Sequence, residues 1–186
     1  MPRQTLISNM GLFWREDCVF WGAGSNRGHL IGYRTGDSKK HIDFRRQRGI
    51  YVLYSDFRII YIGQAGSGNA SLFGRLKRHT RDDLAERWDR FSWFGLDRVL
   101  SSGRLAAPTV RAAPSTNTIL DHIEGILIHA AEPPLNRQGG SFGPNVKRYL
   151  QYRDERLGLT PTQASVETNR VINQLREDIM EVKGLL

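Results

Sequence analysis

Residues 49–63 read GIYVLYSDFRIIYIG, and this stretch decides the fold. The runs at 49–54 and 59–63 are rich in β-branched and aromatic residues, which favour strands, while the residues between them are typical of a turn. The pattern therefore predicts a β-hairpin. Because both runs are almost continuously apolar, we expect the hairpin to lie at the centre of a sheet that is covered on both faces.

Helices are predicted on the C-terminal side of the hairpin. Ser71 can cap a helix that begins at Leu72. The acidic residues from Asp82 onward favour a second helical stretch, so we expect helical structure over about 72–89. Residues 90–100 are typical of a third strand, and the apolar spacing within 118–131 predicts a further helix. We therefore expect an α/β (α+β) fold, with a small mixed or antiparallel sheet of about three or more strands flanked by helices, and N- and C-terminal arms.

The chain has 186 residues, which fits one domain with appended arms. Residues 1–47 are expected to form a basic N-terminal arm with extra strands that pack on the core. Residues 48–138 are expected to form the core, and residues 139–186 a loop and a C-terminal amphipathic helix. The apolar residues of that helix recur at every third or fourth position, which fits either packing on its own domain or a seam with a partner.

The charge balance indicates the class of partner. The chain has 27 Lys and Arg against 19 Asp and Glu, a formal net charge of +8. Such a balance favours a polyanion, nucleic acid first and an anionic membrane surface second. The single cysteine, Cys18, excludes an internal disulfide and a multi-cysteine zinc site. No apolar run approaches the ~20 residues of a membrane span, and the N-terminal residues lack a signal-peptide pattern, so we expect no membrane contact and a cytoplasmic, intracellular location.

Chemistry-bearing residues follow the hairpin in a recognisable order. The tripeptides Gly49-Ile50-Tyr51 and Tyr61-Ile62-Gly63 are separated by nine residues. Further along the chain stand Arg75, His79, Glu124 and, after Pro133-Pro134-Leu135, Asn136. This set resembles the GIY-YIG nuclease family, and the resemblance covers residues 48–138, which would then be the catalytic core.

The resemblance implies that the chain hydrolyses a phosphodiester bond by attack of water. Tyr51 would orient or deprotonate that water, and Tyr61 would hydrogen-bond the phosphate or the water network. Arg75 and His79 lie four residues apart, on one face of the predicted helix. Arg75 could direct two N–H groups at the phosphate, while His79 could position the Tyr51 hydroxyl or accept its proton.

The remaining two residues of the resemblance concern the metal and the shape of the site. Glu124 would bind one Mg²⁺ (or Mn²⁺) per active site, since a single carboxylate suffices for an ion that keeps most of its waters. Asn136 would support the shape of the site. A free phenol has a pKa near 10, so Tyr51 would be a poor base at neutral pH unless nearby cations lower its pKa, for which Arg75, His79 and the metal are suitable.

Basic residues provide the candidate nucleic-acid interface, for which double-stranded DNA is the expected partner and RNA the alternative. They lie in the N-terminal segment, on the helix after the hairpin and in the loop at 101–115. The candidates are Lys39, Lys40, Arg45, Arg46, Arg48, Lys77, Arg78, Arg104 and Arg111.

Three biological roles fit these features. The first is a sequence-specific endonuclease of the restriction type, for which a homodimer through the C-terminal helix or the N-terminal arm would place two sites on a palindrome. The second is a structure-specific or nonspecific DNA nuclease in repair, in a mobile element or in phage defence, alone or in a larger complex. The third is a nucleic-acid-binding module with an idle nuclease site.

Overall fold

The computed structural model describes residues 6–66, 70–107, 116–132, 142 and 145–158, and in the C-terminal segment residues 162, 165–166, 168–173 and 175. The chain divides into two compact units, Met1–Asp154 and Glu155–Leu186. The first unit has a mixed α+β fold, which confirms the predicted fold class. In the second unit, a short 3-10 turn at Glu155–Leu157 precedes described residues that are helical, as expected for the C-terminal segment.

The first unit holds a seven-stranded mixed sheet and a two-stranded sheet. The strands in chain order are β1 (Asn9–Arg15), β2 (Gly22–Ala23), β3 (Asn26–Arg27), β4 (Ile31–Arg34), β5 (Asp37–Asp43), β6 (Gly49–Ser55), β7 (Arg58–Ala65), β8 (Arg90–Gly95) and β9 (Lys147–Gln151). The large sheet has the order β5-β4-β9-β1-β8-β6-β7, and β2 pairs with β3. Every pair in the large sheet is antiparallel except the parallel pair of β1 and β9.

The predicted hairpin is confirmed as β6 and β7, but its expected position is only half right. β6 lies inside the sheet between β7 and β8, whereas β7 is the outermost strand. Isoleucines on β7 are accordingly exposed, and Ile62 retains 59% of its accessible surface. A continuous apolar run therefore did not mean burial on both faces, because an edge strand can carry the same residue types.

Two α-helices are formed by the described residues of the first unit: α1 (Leu72–His79) and α2 (Thr116–Ala131). α1 begins as predicted, since the Ser71 hydroxyl accepts the Gly74 N–H at 3.2 Å. The predicted helical stretch from Asp82 to about Trp88 is wrong, because these residues form turns. The Asp82 side chain accepts the N–H of Leu84 at 3.0 Å, a local bond that favours a turn over a helix.

The predicted arms both contribute to the sheet. The segment 1–47 supplies β1, β4 and β5, and the segment 139–186, expected to hold only a loop and a helix, supplies β9 between β1 and β4. β9 reads KRYLQ and buries Tyr149 alone, so its sequence carries too little alternation to predict a strand. None of the helices in the described part of the chain is long and apolar enough to cross a membrane.

The two faces of the β6 region carry separate cores. On one face, Tyr51 and Leu53 pack with Leu72 and Leu76 of α1 and with Trp93. On the other face, Val52 and Tyr54 pack with Ala130 of α2 and with Phe142. Because side chains alternate along a strand, this division assigns α1 to the face of Tyr51 and α2 to the opposite face.

Candidate functional site

Four of the predicted site residues meet on the α1 face of the hairpin. The hydroxyl of Tyr51 lies 2.8 Å from Nε2 of His79. The ring of Tyr61 stands edge-on to the His79 ring, with centroids 4.9 Å apart, and 6.0 Å from the ring of Tyr51. Arg75 occupies the turn of α1 before His79, and its charge acts on the Tyr51 hydroxyl. Tyr51, Tyr61, Arg75 and His79 are called the tyrosine–histidine cluster below.

Local structure explains how the cluster is assembled. In the β6–β7 pair, Leu53 lies opposite Tyr61 and Gly63 lies opposite Tyr51, so both tyrosines project from the same face. α1 turns Leu72, Leu76 and His79 toward that face, and all three are buried. The backbone carbonyl of His79 accepts the indole N–H of Trp88 at 3.2 Å, which fixes the end of the helix.

Gly49 sets the position of β6 against β8. Its φ of +152° lies in a region that side chains rarely adopt, and a methyl group built there would overlap the carbonyl oxygen of Phe94. Only glycine allows the two backbones to come this close. The first glycine of the GIY tripeptide is therefore required by the sheet, and it places Tyr51 two residues further along.

Sequence reasoning missed one member of the site, Asp82. Its Oδ2 lies 2.8 Å from Nδ1 of His79, and Nε of Arg78 lies 3.6 Å from the same oxygen. The sequence signal that could have found it is the spacing of three residues between His79, at the end of the helix, and Asp82. It was overlooked because the carboxylate was assigned to a helix N-terminus instead.

The hydrogen bonds determine which nitrogen of His79 holds the proton. An ionised carboxylate only accepts hydrogen bonds, so Nδ1 must donate to Asp82. In the neutral ring Nε2 is then the acceptor, and the Tyr51 hydroxyl donates to it. The arrangement is a chain of two hydrogen bonds from a phenol through an imidazole to a carboxylate.

The pKa values of the two ends of this chain move in opposite directions. Burial, followed by the neighbouring hydroxyl of Tyr61, raises the pKa of Tyr51 far above its usual range, although the charges of Arg75 and Arg78 oppose the rise. Among the protein's own groups, desolvation therefore outweighs the charges of the two arginines. At the other end, burial would raise the pKa of Asp82, but the N–H of Leu84, the hydrogen bond and charge of His79 and the charge of Arg78 hold it below the usual range.

Exposure indicates how a substrate would approach. Tyr51 and His79 retain only 1% and 2% of their surface, whereas Tyr61 and Arg75 are half-buried. Nε of Arg75 is buried and has no hydrogen-bond partner among the described residues. The accessible part of the tyrosine–histidine cluster is therefore formed by Tyr61 and Arg75, with Tyr51 and His79 buried.

The other two residues of the family pattern are not joined to the cluster in the described part of the chain. Glu124 is exposed on α2, the helix that covers the opposite face of the sheet, and no contact with Tyr51 or His79 is formed within the described residues. Asn136 lies outside the described residues. The described residues also contain no group of three or more His, Cys, Asp and Glu side chains that could hold a metal ion.

Part of the basic candidate set holds the fold together. Arg45 pairs with Asp43 at 2.6 Å, and Arg48 pairs with the buried carboxylate of Asp97 at 2.5 Å. The ammonium groups of Lys40 and Lys77 donate to backbone carbonyls. Within the described part of the chain, the exposed candidates without a side-chain bond to the backbone are Lys39, Arg46, Arg78 and Arg104, of which Arg78 lies 3.6 Å from Asp82. Arg111 lies outside the described residues.

Comparisons of the chain with protein-family models, with curated proteins and with solved structures find no match. Function accordingly has to be inferred from the side chains of the site and their chemistry.

Proposed function

We propose that this chain is an endonuclease of the GIY-YIG type that hydrolyses phosphodiester bonds of double-stranded DNA. One observation carries the proposal: the Tyr51 hydroxyl lies 2.8 Å from a ring nitrogen of His79, whose other nitrogen lies 2.8 Å from Asp82. This chain of hydrogen bonds can take a proton from a water molecule, which is what attack on a phosphodiester requires.

The raised pKa of Tyr51 determines how the proton moves. A free phenolate at this buried position would be costly, so Tyr51 does not lose its proton before the reaction. Instead Tyr51 passes its proton to Nε2 of His79 while it accepts the proton of the attacking water. The carboxylate of Asp82 stabilises the imidazolium that results, as a carboxylate does for the histidine of a hydrolytic triad.

Arg75 supplies the positive charge for the phosphate. A phosphodiester gains charge on its non-bridging oxygens during the attack, and a guanidinium can donate two parallel hydrogen bonds to them. Arg75 is half-buried and lies one turn before His79 on α1, which places its guanidinium beside the cluster. Tyr61, half-buried beside His79, can donate its hydroxyl proton to the phosphate or to the attacking water.

A divalent cation is proposed from the family resemblance. The exposed carboxylate of Glu124 has the donor chemistry that Mg²⁺ or Mn²⁺ prefers. Because Glu124 lies on α2, on the sheet face opposite the tyrosine–histidine cluster, the described residues do not join such an ion to the cluster, and no step proposed here passes through it. The proton path described above uses only this chain's own side chains.

Among the roles for such a nuclease, we propose the sequence-specific restriction type, acting as a homodimer. The extra strand β5 supports it, since Lys39 and its neighbours lie exposed on this edge strand of the large sheet, where basic side chains can contact DNA phosphates. A structure-specific or nonspecific nuclease, and a binding module with an idle site, are the alternatives.

Cleavage of a mixed-sequence plasmid with Mg²⁺ tests the proposal, comparing the wild type with Tyr51→Phe and Tyr54→Phe. Both substitutions remove a buried hydroxyl from β6, but the Tyr54 hydroxyl donates to the carbonyl of Ala130 on the opposite face. We expect Tyr51→Phe to cut at least ~10²-fold more slowly and Tyr54→Phe to cut like the wild type.

The products separate the roles. Discrete bands with 5′-phosphate ends support the restriction-type nuclease, and a smear or cutting only at flaps and junctions supports the second role. DNA binding without cleavage by the wild type would support the idle module. Equal cleavage by Tyr51→Phe and the wild type would show that the tyrosine–histidine cluster is not the active site.

A further inference from the structure

We infer that Asp82 is a positioning residue: it holds His79 in the tautomer whose Nε2 is free to accept the proton of Tyr51. The role of that proton in catalysis rests on the proposed function, whereas the control of the tautomer does not. Asp82 lies in the turn after α1 and was not part of the family pattern from which the site was expected.

The carboxylate of Asp82 is itself held in a fixed orientation. Its Oδ1 accepts the backbone N–H of Leu84 at 3.0 Å, and its Oδ2 accepts Nδ1–H of His79 at 2.8 Å. The backbone N–H of Asp82 donates to the carbonyl of Arg78, which continues the last turn of the helix. Because each oxygen has a separate partner, the carboxylate presents one oxygen to the imidazole without a change of rotamer.

The imidazole depends on this contact because it is nearly inaccessible to water. His79 retains 2% of its surface, and its side chain is enclosed by Tyr51 and Tyr61. Asp82 is about one-third exposed, so it connects the buried ring to the surface. Without the carboxylate, nothing else in the described contacts of His79 would require the proton to lie on Nδ1.

The other tautomer would reverse the hydrogen bond to Tyr51. A proton on Nε2 would be donated to the Tyr51 hydroxyl oxygen, and the ring could then no longer accept the phenolic proton. Asp82 contacts one of the exposed basic residues, Arg78, whose Nε lies 3.6 Å from its Oδ2. Loss of the carboxylate should lower kcat by ~10²-fold or more without raising the KM for DNA, because the positive charge of Arg78 stays in place.

Nitrogen-15 NMR of the histidine rings tests the inference directly. The protein labelled with ¹⁵N-histidine would be measured at about pH 8.5, where an ordinary imidazole is neutral. The variants are Asp82→Ala, Asp82→Asn and, as a matched control, Asp83→Asn, which removes the neighbouring exposed carboxylate. The His79 signals among the five histidines are assigned by their absence from His79→Gln.

We expect Nδ1–H for His79 in the wild type and in Asp83→Asn, and a mixture of tautomers or Nε2–H in Asp82→Ala. Asp82→Asn should keep Nδ1–H, because an amide oxygen still accepts, but should show a lower kcat because the charge that stabilises the imidazolium is gone. Circular dichroism shows whether each variant is folded. If Asp82→Ala is not folded, the tautomer of His79 in the wild type and the kcat of Asp82→Asn still test the inference.

Two results would overturn the inference: Nε2–H in the wild type, or unchanged Nδ1–H in a folded Asp82→Ala variant. The proposed function fails separately. If the tautomer changes as expected but the wild type cuts no DNA, Asp82 is a positioning residue of a site that is not this nuclease.

Discussion

Gly63 lies directly opposite Tyr51 in the β6–β7 pair, and the space above its Cα is filled by the phenol of Tyr51. A methyl group at position 63 would overlap both Cζ and the hydroxyl oxygen of that phenol and would crowd the ring of Tyr61. The glycine of the YIG tripeptide, Gly63, is thus required because any side chain there would overlap the ring of Tyr51. Two motifs that are separate in the sequence form one contact in the sheet.

Gly63→Ala should therefore displace the Tyr51 hydroxyl from His79. We expect at least ~10²-fold slower cleavage, because a shift of about 1 Å in a reacting group costs that much. Gly74→Ala is the matched control: its new methyl group meets only the Ser71 hydroxyl at 3.3 Å, and alanine favours the helix by about 0.5–1 kcal/mol. Cleavage rates and denaturant midpoints of both variants provide the measurement. An active Gly63→Ala variant would contradict the assigned geometry.

Glu124→Ala should abolish cleavage if this glutamate binds the divalent cation. The wild type with EDTA should be equally inactive, and isothermal titration should show that Mn²⁺ binding is lost in the variant. Asp121→Asn, on the same helix and also exposed, removes the same charge and should retain both activity and Mn²⁺ binding. Normal cleavage by Glu124→Ala would place the metal ligand elsewhere.

Two neighbouring arginines of the basic segment should behave differently. Arg48→Ala leaves the carboxylate of Asp97, which is 7% exposed, without its partner, so we expect a loss of about 1–3 kcal/mol in the free energy of unfolding. Arg46→Ala, at an exposed position, should change that free energy by less than about 0.5 kcal/mol.

The DNA-binding measurement completes the comparison. If Arg46 contacts a phosphate, Arg46→Ala should weaken binding and lower the slope of log K against log salt by about one. Denaturant unfolding and binding titrations at two salt concentrations measure both quantities. An unchanged salt slope would remove Arg46 from the interface.

The lowered pKa of Asp82 predicts a loss of stability in acid. A carboxyl whose pKa is lower in the folded than in the unfolded state stabilises the fold above its unfolded pKa, and this contribution is lost as the pH falls through the folded value. The ordinary pKa of Asp is 3.8. The free energy of unfolding of the wild type should therefore exceed that of Asp82→Asn most at neutral pH, and this difference in stability should shrink below about pH 4. Urea unfolding at about pH 6 and pH 3 measures it, and a constant difference would contradict the assigned ion pair.

Local patterns predicted much of the hairpin region. Ser71 caps α1, and the spacing of Leu72, Leu76 and His79 gives the helix its buried face, because these signals act within a few residues. Asp82 was assigned to a helix because acidic residues favour helix N-termini, but its side chain forms a bond to Leu84 that competes with the helix. Local propensity alone could not decide between these outcomes.

Long-range features were out of reach of the sequence. The order of the sheet, the edge position of β7 and the insertion of β9 depend on pairings between distant segments. The motif places cations near Tyr51 that could lower its pKa, but among the protein's own groups burial has the larger effect, and burial is a property of the whole fold. The expected grouping of Glu124 with Tyr51 came from the family pattern, and the described contacts do not show it.

The place of β9 has a consequence for how the protein is made. β9 lies between β1 and β4, two strands that are translated long before it, so the sheet is incomplete until Gln151 has left the ribosome. During that interval the nascent chain exposes the unpaired edges of β1 and β4, which are templates for aggregation. Closure across so many residues also carries an entropic cost that slows the last step of folding. Synthesis of this protein therefore passes through a vulnerable stage that a sheet of consecutive strands would avoid.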